Sequence, residues 1–259
     1  LVQGRLSLPL LETMGVRTMV LTRDSTPAEV AAWMATMHPH LKEGGQCALL
    51  VRDGALTFPK RRYANGYALR REDAIAHILD AAGDAIIVAT TGKTGRELFE
   101  LREKRGAGHA HDFLTVGSMG HASALALGIA LHRPARRVIV LDGDGAALMH
   151  AGAMATIGAA APPNLVHILL NNEAHESVGG APTAAGSANF PAIAANVGYH
   201  VLRTVQTADE LAHALRELRD TRALTFLEVR TAIGARADLG RPTTPPRANK
   251  EALMRMLKE

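Results

Sequence analysis

The 259-residue sequence has one cysteine and very few aromatic side chains. Cys47 cannot form an intrachain disulfide, which excludes a disulfide-stabilised fold and favours a buried core thiol in a reducing, cytoplasmic compartment. Aromatic residues make up 3% of the chain, and no long basic run is interleaved with them. Nucleic-acid binding is therefore disfavoured, although the formal net charge is +4.

The sequence also lacks a segment that reads as a membrane span or a signal peptide. The longest uncharged run, residues 113–132, contains glycine, serine and two histidines, as expected of a loop followed by a buried helix. Hydrophobic residues at 47% and charged residues at 21% are ordinary for a globular protein. The length suffices for one large domain or for one and a half smaller ones.

What the sequence does contain is a regular alternation of strand-like and helix-like segments. Apolar runs such as "AIIVAT", "RRVIVLD", "NLVHILLNN" and "LTFLEVRT" are separated by segments with helical character. Because polar residues do not alternate within these runs, we expect strands that are buried on both faces. The pattern predicts an α/β fold in which a parallel sheet carries helices on both faces.

The alternation is interrupted once, by a basic segment that has no clear period. This interruption predicts a linker at residues 59–69 between a first domain, residues 1–58, and a larger second domain, residues 70–259. Since ligands of open α/β sheets bind beyond the carboxyl ends of the strands, the functional residues are expected there.

Two predicted strand ends carry suitable polar residues. The first ends in Gly143-Asp144-Gly145, and Asn172 lies 28 residues after Asp144, at the end of the next strand. The glycines allow a sharp turn and a close approach of the backbone to a ligand. Amides at a helix start attract phosphate, while carboxylate and amide oxygens suit a hard cation. The spacing therefore predicts a site for a metal ion paired with a diphosphate.

A second turn, residues 90–95, resembles the phosphate loop of nucleoside triphosphatases but lacks its first glycine. That position is occupied by Ile87, inside a predicted strand, which disfavours a nucleoside triphosphatase. Two interpretations stay open: a plain turn, or a turn in which Gly92, Lys93 and Thr94 hold a single anion.

The combination of GDG at one strand end and NN at the next resembles the signature of thiamine-diphosphate enzymes. The segments "DFLTVGSMGHASALALGIAL" and "NNEAHESVGG" resemble the phosphonopyruvate decarboxylases, of which the sulfopyruvate decarboxylases are close relatives. The resemblance covers about residues 70–227 and implies a thiamine-diphosphate-binding fold. It also implies that residues 1–58 are the C-terminal part of a pyrimidine-binding-type domain. The implied reaction is the Mg²⁺-dependent decarboxylation of phosphonopyruvate to phosphonoacetaldehyde and CO₂.

The resemblance implies roles for individual residues. Mg²⁺ would be bound by Asp144, Asn172 and the carbonyl of Ala174. The cofactor contacts would be Thr91, Gly92, Lys93, Thr94, Gly117, Ser118, Met119, Gly143, Asp144, Gly145, Ala146 and Asn172. Met119 would hold the cofactor bent, and ordinary core packing is the alternative for this side chain.

Histidines and cations near the motifs are further candidates. His121 and His175 are candidate catalytic residues for proton transfer, with a structural role as the alternative. His150 and His167 are expected in the core. Lys93 and Arg96 are candidates for binding the second anionic group of the substrate, which is expected to be a small anionic 2-oxo acid.

The glutamate that activates the cofactor in this family has no clear counterpart, and Glu97 is expected on a helix surface. The chain opens on a helix-like segment without methionine, so the glutamate is expected in an absent N-terminal part or on a partner chain. The family implies a homo-oligomer with active sites between subunits. An acetolactate-type carboligase and a cofactor-binding subunit that is inactive alone are the alternatives to a decarboxylase.

Overall fold

The computed structural model describes residues 2–57 and 63–258 of the chain. The chain separates into two compact units, divided between residues 61 and 62. Of the predicted linker, residues 59–62 lie outside the described residues, whereas residues 63–69 belong to the second unit. There Leu69 packs in the hydrophobic core of that unit.

The first unit is a small α/β arrangement with two parallel strands. Its elements are α1 (Val2–Thr13), β1 (Arg17–Leu21), α2 (Pro27–Lys42) and β2 (Cys47–Val51). Helix α2 begins where it does because the Thr26 side chain and Glu29 form a capping box around Pro27. Cys47 is half-buried and not in a core as expected, since a two-stranded sheet cannot enclose its strands.

The second unit has the regular βα alternation expected from the sequence. Its elements are α3 (Arg71–Ala82), β3 (Ile86–Ala89), α4 (Lys93–Arg105), β4 (Asp112–Leu114), α5 (Ala122–His132), β5 (Val138–Gly143), α6 (Asp144–Met149), α7 (Gly152–Ala160), β6 (Leu165–Asn171), β7 (Ala174–His175), β8 (Ala181–Pro182), α8 (Phe190–Asn196), β9 (His200–Val205), α9 (Ala208–Asp220), β10 (Thr225–Arg230) and α10 (Pro246–Met256). None of the helices within the described residues combines the length and apolar character needed to cross a membrane.

Six parallel strands form the main sheet, in the order β4-β3-β5-β6-β10-β9. Alternate residues of each strand face opposite cores: Ile87 and Ala89 pack with α3, α4 and α9, while Ile86 and Val88 pack with α5, α7, α8 and α10. All four side chains are fully buried. The predicted α/β fold with helices on both faces is therefore confirmed, and it explains the unbroken apolar runs.

The strand order creates a crevice at one edge of the sheet. From β3 the chain moves to β4 on one side and then returns to β5 on the other side. Such a reversal separates the connections that follow the neighbouring strands and leaves room for a ligand at their carboxyl ends. Because β6 pairs with β5, the residues that follow β3, β5 and β6 meet at this edge.

Among the glycines of the second unit that the structure describes, Gly158 in α7 has the closest neighbouring backbone. A Cβ atom on this residue would lie 1.6 Å from the carbonyl oxygen of Val197. We expect Gly158→Ala to lower the free energy of unfolding by at least about 1–3 kcal/mol, because backbone must move to admit the methyl group. Urea unfolding followed by circular dichroism measures this.

Gly152→Ala is the matched control in the same helix, since a Cβ atom there meets nothing within 4 Å. It is expected to leave stability unchanged or raised, because alanine favours helix over glycine. Equal destabilisation by the two substitutions would contradict the predicted close packing.

Candidate active site

A cleft of about 60 Å³ lies beyond the carboxyl ends of β3, β5 and β6. Most of the residues predicted from the sequence line it: Thr91, Lys93, Thr94, Met119, Gly143, Asp144, Gly145, Ala146, Asn172, Ala174 and His175. Gly92, Gly117, Ser118 and His121 are not among the lining residues. Residues from separate strand ends thus meet in one place, as the parallel sheet requires.

The two aspartates of the sequence "LDGDG" have different environments. Asp142 accepts hydrogen bonds from the amide of Gly143 at 2.9 Å and from Nε2 of the buried His167 at 3.2 Å, so it belongs to the core. Asp144, the first residue of α6, lines the cleft although it is only 3% exposed. It accepts a hydrogen bond from the Thr183 hydroxyl and forms no salt bridge within the described residues.

The Asp144 carboxylate has no lysine or arginine partner within the described residues. Burial raises its pKa, although hydrogen bonds from Thr183 and from backbone amides, and the nearby His175, oppose the rise. A buried carboxylate is stable when a cation or hydrogen-bond donors compensate its charge. The environment of Asp144 therefore suits a cation bound at this edge of the sheet.

The two asparagines also differ in environment. Asn171 is fully buried at the end of β6 and donates to Oε1 of Glu228 at 2.7 Å. Asn172 turns its side chain towards the cleft. Glu173 has a left-handed backbone, with φ of 59°, and this turn brings Ala174 back beside Asn172. Asn172 and Ala174 line the same cleft as Asp144. An amide oxygen and a carbonyl oxygen from these residues could complete a hard-cation donor set.

A glycine permits the close approach of two cleft residues. A Cβ atom at Gly145 would lie 2.7 Å from Cε1 of His175 and 3.2 Å from Cε of Met119. Only a residue without a side chain allows both to pack against the start of α6. His175 and Met119 therefore flank the first turn of this helix, whose leading amides have no intrahelical acceptor.

The cleft contains a buried hydroxyl without a partner. Thr90 is 4% exposed, and its Oγ1 has no hydrogen-bond partner within the described residues. An unsatisfied buried polar group costs about 1–3 kcal/mol, so a polar ligand is expected here. Together with the helix starts of α4 and α6, this hydroxyl fits a diphosphate, and the Asp144, Asn172 and Ala174 oxygens fit Mg²⁺.

Glu176, which follows β7, is a further charged residue of the cleft that no sequence pattern indicated. Its carboxylate accepts hydrogen bonds from the guanidinium of Arg71, from the Asn172 amide at 2.7 Å and from the Gly234 amide at 2.7 Å. Lys93 forms a longer ion pair with it at 3.4 Å. Burial opposes its ionisation, but the charges of Arg71 and Lys93 outweigh burial and hold the pKa of Glu176 below its usual range.

Glu97 corrects another expectation, since it is buried and not on a helix surface. Its two carboxylate oxygens accept from Nε and Nη2 of Arg71, at 2.7 and 2.9 Å. The sequence spacing could have indicated this burial, because Glu97 lies on the same face of α4 as Leu98 and Leu101. Thr94 lies on this face too, and all four residues are buried.

Within the described residues, the two cations that line the cleft, Arg71 and Lys93, are paired with carboxylates. Glu97 and Glu176 offset Arg71 and Lys93, so Lys93 is not the free cation that was expected to bind a substrate anion. Arg96, the other candidate, does not line the cleft.

The four histidines considered in the sequence analysis lie in three different environments. His175 lines the cleft, and His167 is buried in β6 as expected. His121 is exposed at the rim, 4.2 Å between ring centroids from His150. His150 is exposed and not in the core as expected, because α6 ends at Met149 and the following turn directs the ring outwards.

Loops from different strands contact each other around the cleft. The Gly117 amide donates to Oγ1 of Thr91 at 3.3 Å, and Ser118 adopts a left-handed backbone with φ of 45°. Asn65, in the segment predicted as a linker, donates to the carbonyl of Asn172 at 2.8 Å and to that of Thr231 at 2.9 Å. The hydrogen bond from Asn65 therefore also fixes the turn that contains Asn172.

A family model described as the C-terminal TPP-binding domain of thiamine pyrophosphate enzymes matches residues 90–229. The chain belongs to this family. The match includes the strand ends that form the cleft, with Thr90, Asp144 and Asn172.

Similar proteins include two kinds of decarboxylase. Phosphonopyruvate decarboxylase of Streptomyces viridochromogenes is 42% identical over 163 residues, which are 63% of this chain and 40% of the relative. A sulfopyruvate decarboxylase subunit beta from Methanothermobacter thermautotrophicus is 37% identical over 135 residues, 52% of this chain and 70% of the relative. The chain spans about two fifths of the phosphonopyruvate decarboxylases that it matches.

Solved structures confirm the fold. A thiamine diphosphate-dependent 4-hydroxybenzoylformate decarboxylase of Rhodococcus jostii RHA1 superposes with a TM-score of 0.54 at 23% identity, covering 68% of this chain and 35% of that chain. A putative thiamin diphosphate-dependent enzyme from Mycobacterium smegmatis gives the same TM-score and identity over 70% of this chain and 35% of its own. At this identity the likeness establishes the cofactor-binding fold alone.

Arg71 is predicted to be essential for stability. We expect Arg71→Met to lower the free energy of unfolding by about 3–5 kcal/mol, because Glu97 and Glu176 lose their buried counter-charge. The double substitution Arg71→Met with Glu97→Gln is expected to recover part of this loss. Chemical denaturation curves of the single and the double variant measure the two changes in the free energy of unfolding.

The neighbouring Arg70 provides the control. Its ion pair with Asp73 is exposed, so Arg70→Met is expected to leave the unfolding midpoint unchanged. If the two single substitutions have equal effects, the buried pair is not a stabilising element.

Proposed function

We propose that the chain binds thiamine diphosphate with Mg²⁺ and, once completed by a pyrimidine-binding domain, decarboxylates phosphonopyruvate in the cytoplasm. The observation that carries this proposal is the meeting of Asp144, Asn172 and Ala174 in one cleft beside the unpartnered hydroxyl of Thr90. The names of the relatives support the reaction class.

In this proposal the chain's residues bind and orient the cofactor. The Asp144 carboxylate, the Asn172 amide oxygen and the Ala174 carbonyl would hold Mg²⁺, and the Gly145 and Ala146 amides would face the diphosphate. The Thr90 hydroxyl would gain the partner that it lacks. Glu176 accepts from the nitrogen of the Asn172 amide, and the oxygen of that amide accepts from the Ala174 backbone amide at 3.1 Å. This oxygen has a second lone pair, which would bind the metal.

The proposed reaction breaks the C1–C2 bond of phosphonopyruvate, releases CO₂ and adds a proton at C2 to give phosphonoacetaldehyde. When bound, thiamine diphosphate supplies a thiazolium ring that accepts the electron pair left by CO₂. His175 is the histidine that lines the cleft, and we propose that it holds or delivers the proton. Met119 and Leu170 line the same cleft and would exclude water from it.

Completion by a second domain is part of the proposal. The cleft of about 60 Å³ is far smaller than the roughly 300–1,000 Å³ of a typical small-molecule site. The pyrimidine end of the cofactor and the activating glutamate would therefore be bound by a pyrimidine-binding domain, supplied by another subunit of a homo-oligomer or by a partner chain.

Sulfopyruvate decarboxylation is the second candidate, and two observations favour it. The chain covers 70% and 78% of two sulfopyruvate decarboxylase beta subunits, a larger share than of the phosphonopyruvate decarboxylases. In addition, the cationic groups at the cleft are already offset by Glu97 and Glu176, and a sulfonate needs less positive charge than a phosphonate dianion.

The substrate prediction is tested by CO₂ release from phosphonopyruvate, sulfopyruvate and pyruvate in the presence of thiamine diphosphate and Mg²⁺. The chain is assayed alone and together with a pyrimidine-binding subunit. We expect kcat/KM for phosphonopyruvate to exceed that for the other two acids by at least tenfold.

A reversed preference for sulfopyruvate would support the second candidate, and acetolactate formed from pyruvate would identify a carboligase. Absence of turnover by the completed assembly, with cofactor bound, would identify an inactive cofactor-binding subunit.

The metal assignment is tested through binding and not through activity. Asp144→Ala is expected to weaken Mg²⁺-dependent thiamine diphosphate binding at least a hundredfold, about 2.7 kcal/mol, while leaving the fold intact. Calorimetric titration with and without Mg²⁺ measures the effect. Asp209→Ala, which removes an exposed carboxylate at the start of α9, serves as the control. Cofactor affinity that is unchanged in Asp144→Ala would refute the assignment.

A further inference from the structure

A second concave site lies at the opposite edge of the main sheet, where the strands begin. It measures about 440 Å³ and is formed by the segments that precede β3, β5 and β6 and by the ends of α3 and α9. Four arginines line it: Arg136, Arg137, Arg219 and Arg222. We call it the basic pocket. A six-residue strand spans about 20 Å, so the basic pocket is well separated from the cleft.

Positive charge exceeds negative charge at the basic pocket. Asp84 is the one carboxylate among the lining residues, and its Oδ2 lies 3.7 Å from Nε of Arg136, too far for a hydrogen bond. Burial lowers the pKa of Arg137, and the neighbouring Arg222 lowers it further, while Asp220 opposes the shift. The arginines therefore repel one another without sufficient counter-charge.

Helix capping explains only part of this cluster. Arg137 donates to the carbonyls of Leu218 at 2.7 Å and Thr221 at 2.9 Å, at the end of α9. Arg136 donates from Nη2 to the Asp84 carbonyl at 2.9 Å. Such neutral acceptors fix the guanidinium groups in place, but they do not neutralise their charge.

Two buried polar atoms at the basic pocket have no partner within the described residues. One is the donor Nε of Arg136, and the other is the acceptor Oδ1 of Asn164. The Asn164 amide nitrogen is already engaged by backbone carbonyls, including that of Arg136 at 2.8 Å. The unused donor Nε of Arg136, together with the surplus positive charge, favours an anionic ligand that accepts hydrogen bonds.

We propose that the basic pocket binds a small molecule that carries a polyphosphate group, either inorganic or as part of a nucleotide. Guanidinium groups match phosphate oxygens in geometry and retain their charge in partly buried sites. The volume of about 440 Å³ lies within the range of small-molecule sites and exceeds the needs of a single phosphate. Pro134 and Pro163 add an apolar wall beside the arginines. This site is independent of the proposed decarboxylase activity.

The test is calorimetric titration with tripolyphosphate, and separately with ATP, at constant ionic strength and without divalent metal. Arg222→Gln is expected to weaken tripolyphosphate binding about tenfold, equivalent to about 1.4 kcal/mol. Arg216→Gln is the matched control, because it removes an exposed arginine of α9 that does not line the basic pocket. Neither arginine lines the cleft. Any tripolyphosphate or ATP that binds at the cleft therefore contributes equally to the titrations of both variants.

Selective weakening by Arg222→Gln supports the proposal. Tighter binding of ATP than of tripolyphosphate then indicates a nucleotide in contact with the apolar wall, and equal binding indicates an inorganic polyphosphate. Equal weakening by the two substitutions would reveal non-specific attraction to a basic surface and overturn the proposal. Absence of tripolyphosphate and ATP binding by the unmodified chain would overturn it as well.

Discussion

The candidate site depends on the parallel pairing of β3, β5 and β6. Burial on both faces confines these strands to apolar residues, so polar groups are tolerated where each strand ends. Parallel direction brings those ends to one edge, and the reversal at β3 opens a crevice between them. The positions of Thr90, Asp144 and Asn172 are consequences of this one constraint.

Glu176 shows how a site of mixed charge is held together before any ligand binds. Its carboxylate connects the starts of α3 and α4, through Arg71 and Lys93, with the turn that carries Asn172. The same contacts engage the nitrogen of the Asn172 amide, so the oxygen of that amide is the atom that would face a metal. They also reduce the free positive charge at the cleft. A ligand anion that binds Lys93 would therefore have to compete with Glu176.

The sequence predicted the parts of the site that depend on local pattern. Glycines and acidic residues at strand ends have a short-range signature, so the turns at Asp144 and Asn172 could be located without coordinates. The pairing of Glu176 with Arg71 could not be predicted, because the two residues are 105 positions apart and no local pattern connects them. The roles of individual residues towards the cofactor, and the identity of the first unit, remain predictions.

The side-chain charge differs between the carboxyl ends and the amino ends of the strands, and the direction of the helices does not explain this difference. Helix starts favour anions at the carboxyl edge, yet Glu97 and Glu176 offset the cations there. Helix ends favour cations where the strands begin. This accounts for Arg137 but not for Nε of Arg136, which has no hydrogen-bond partner within the described residues. Since excess charge beyond capping costs stability and brings no packing, the surplus at the amino edge is best explained by a ligand that compensates it.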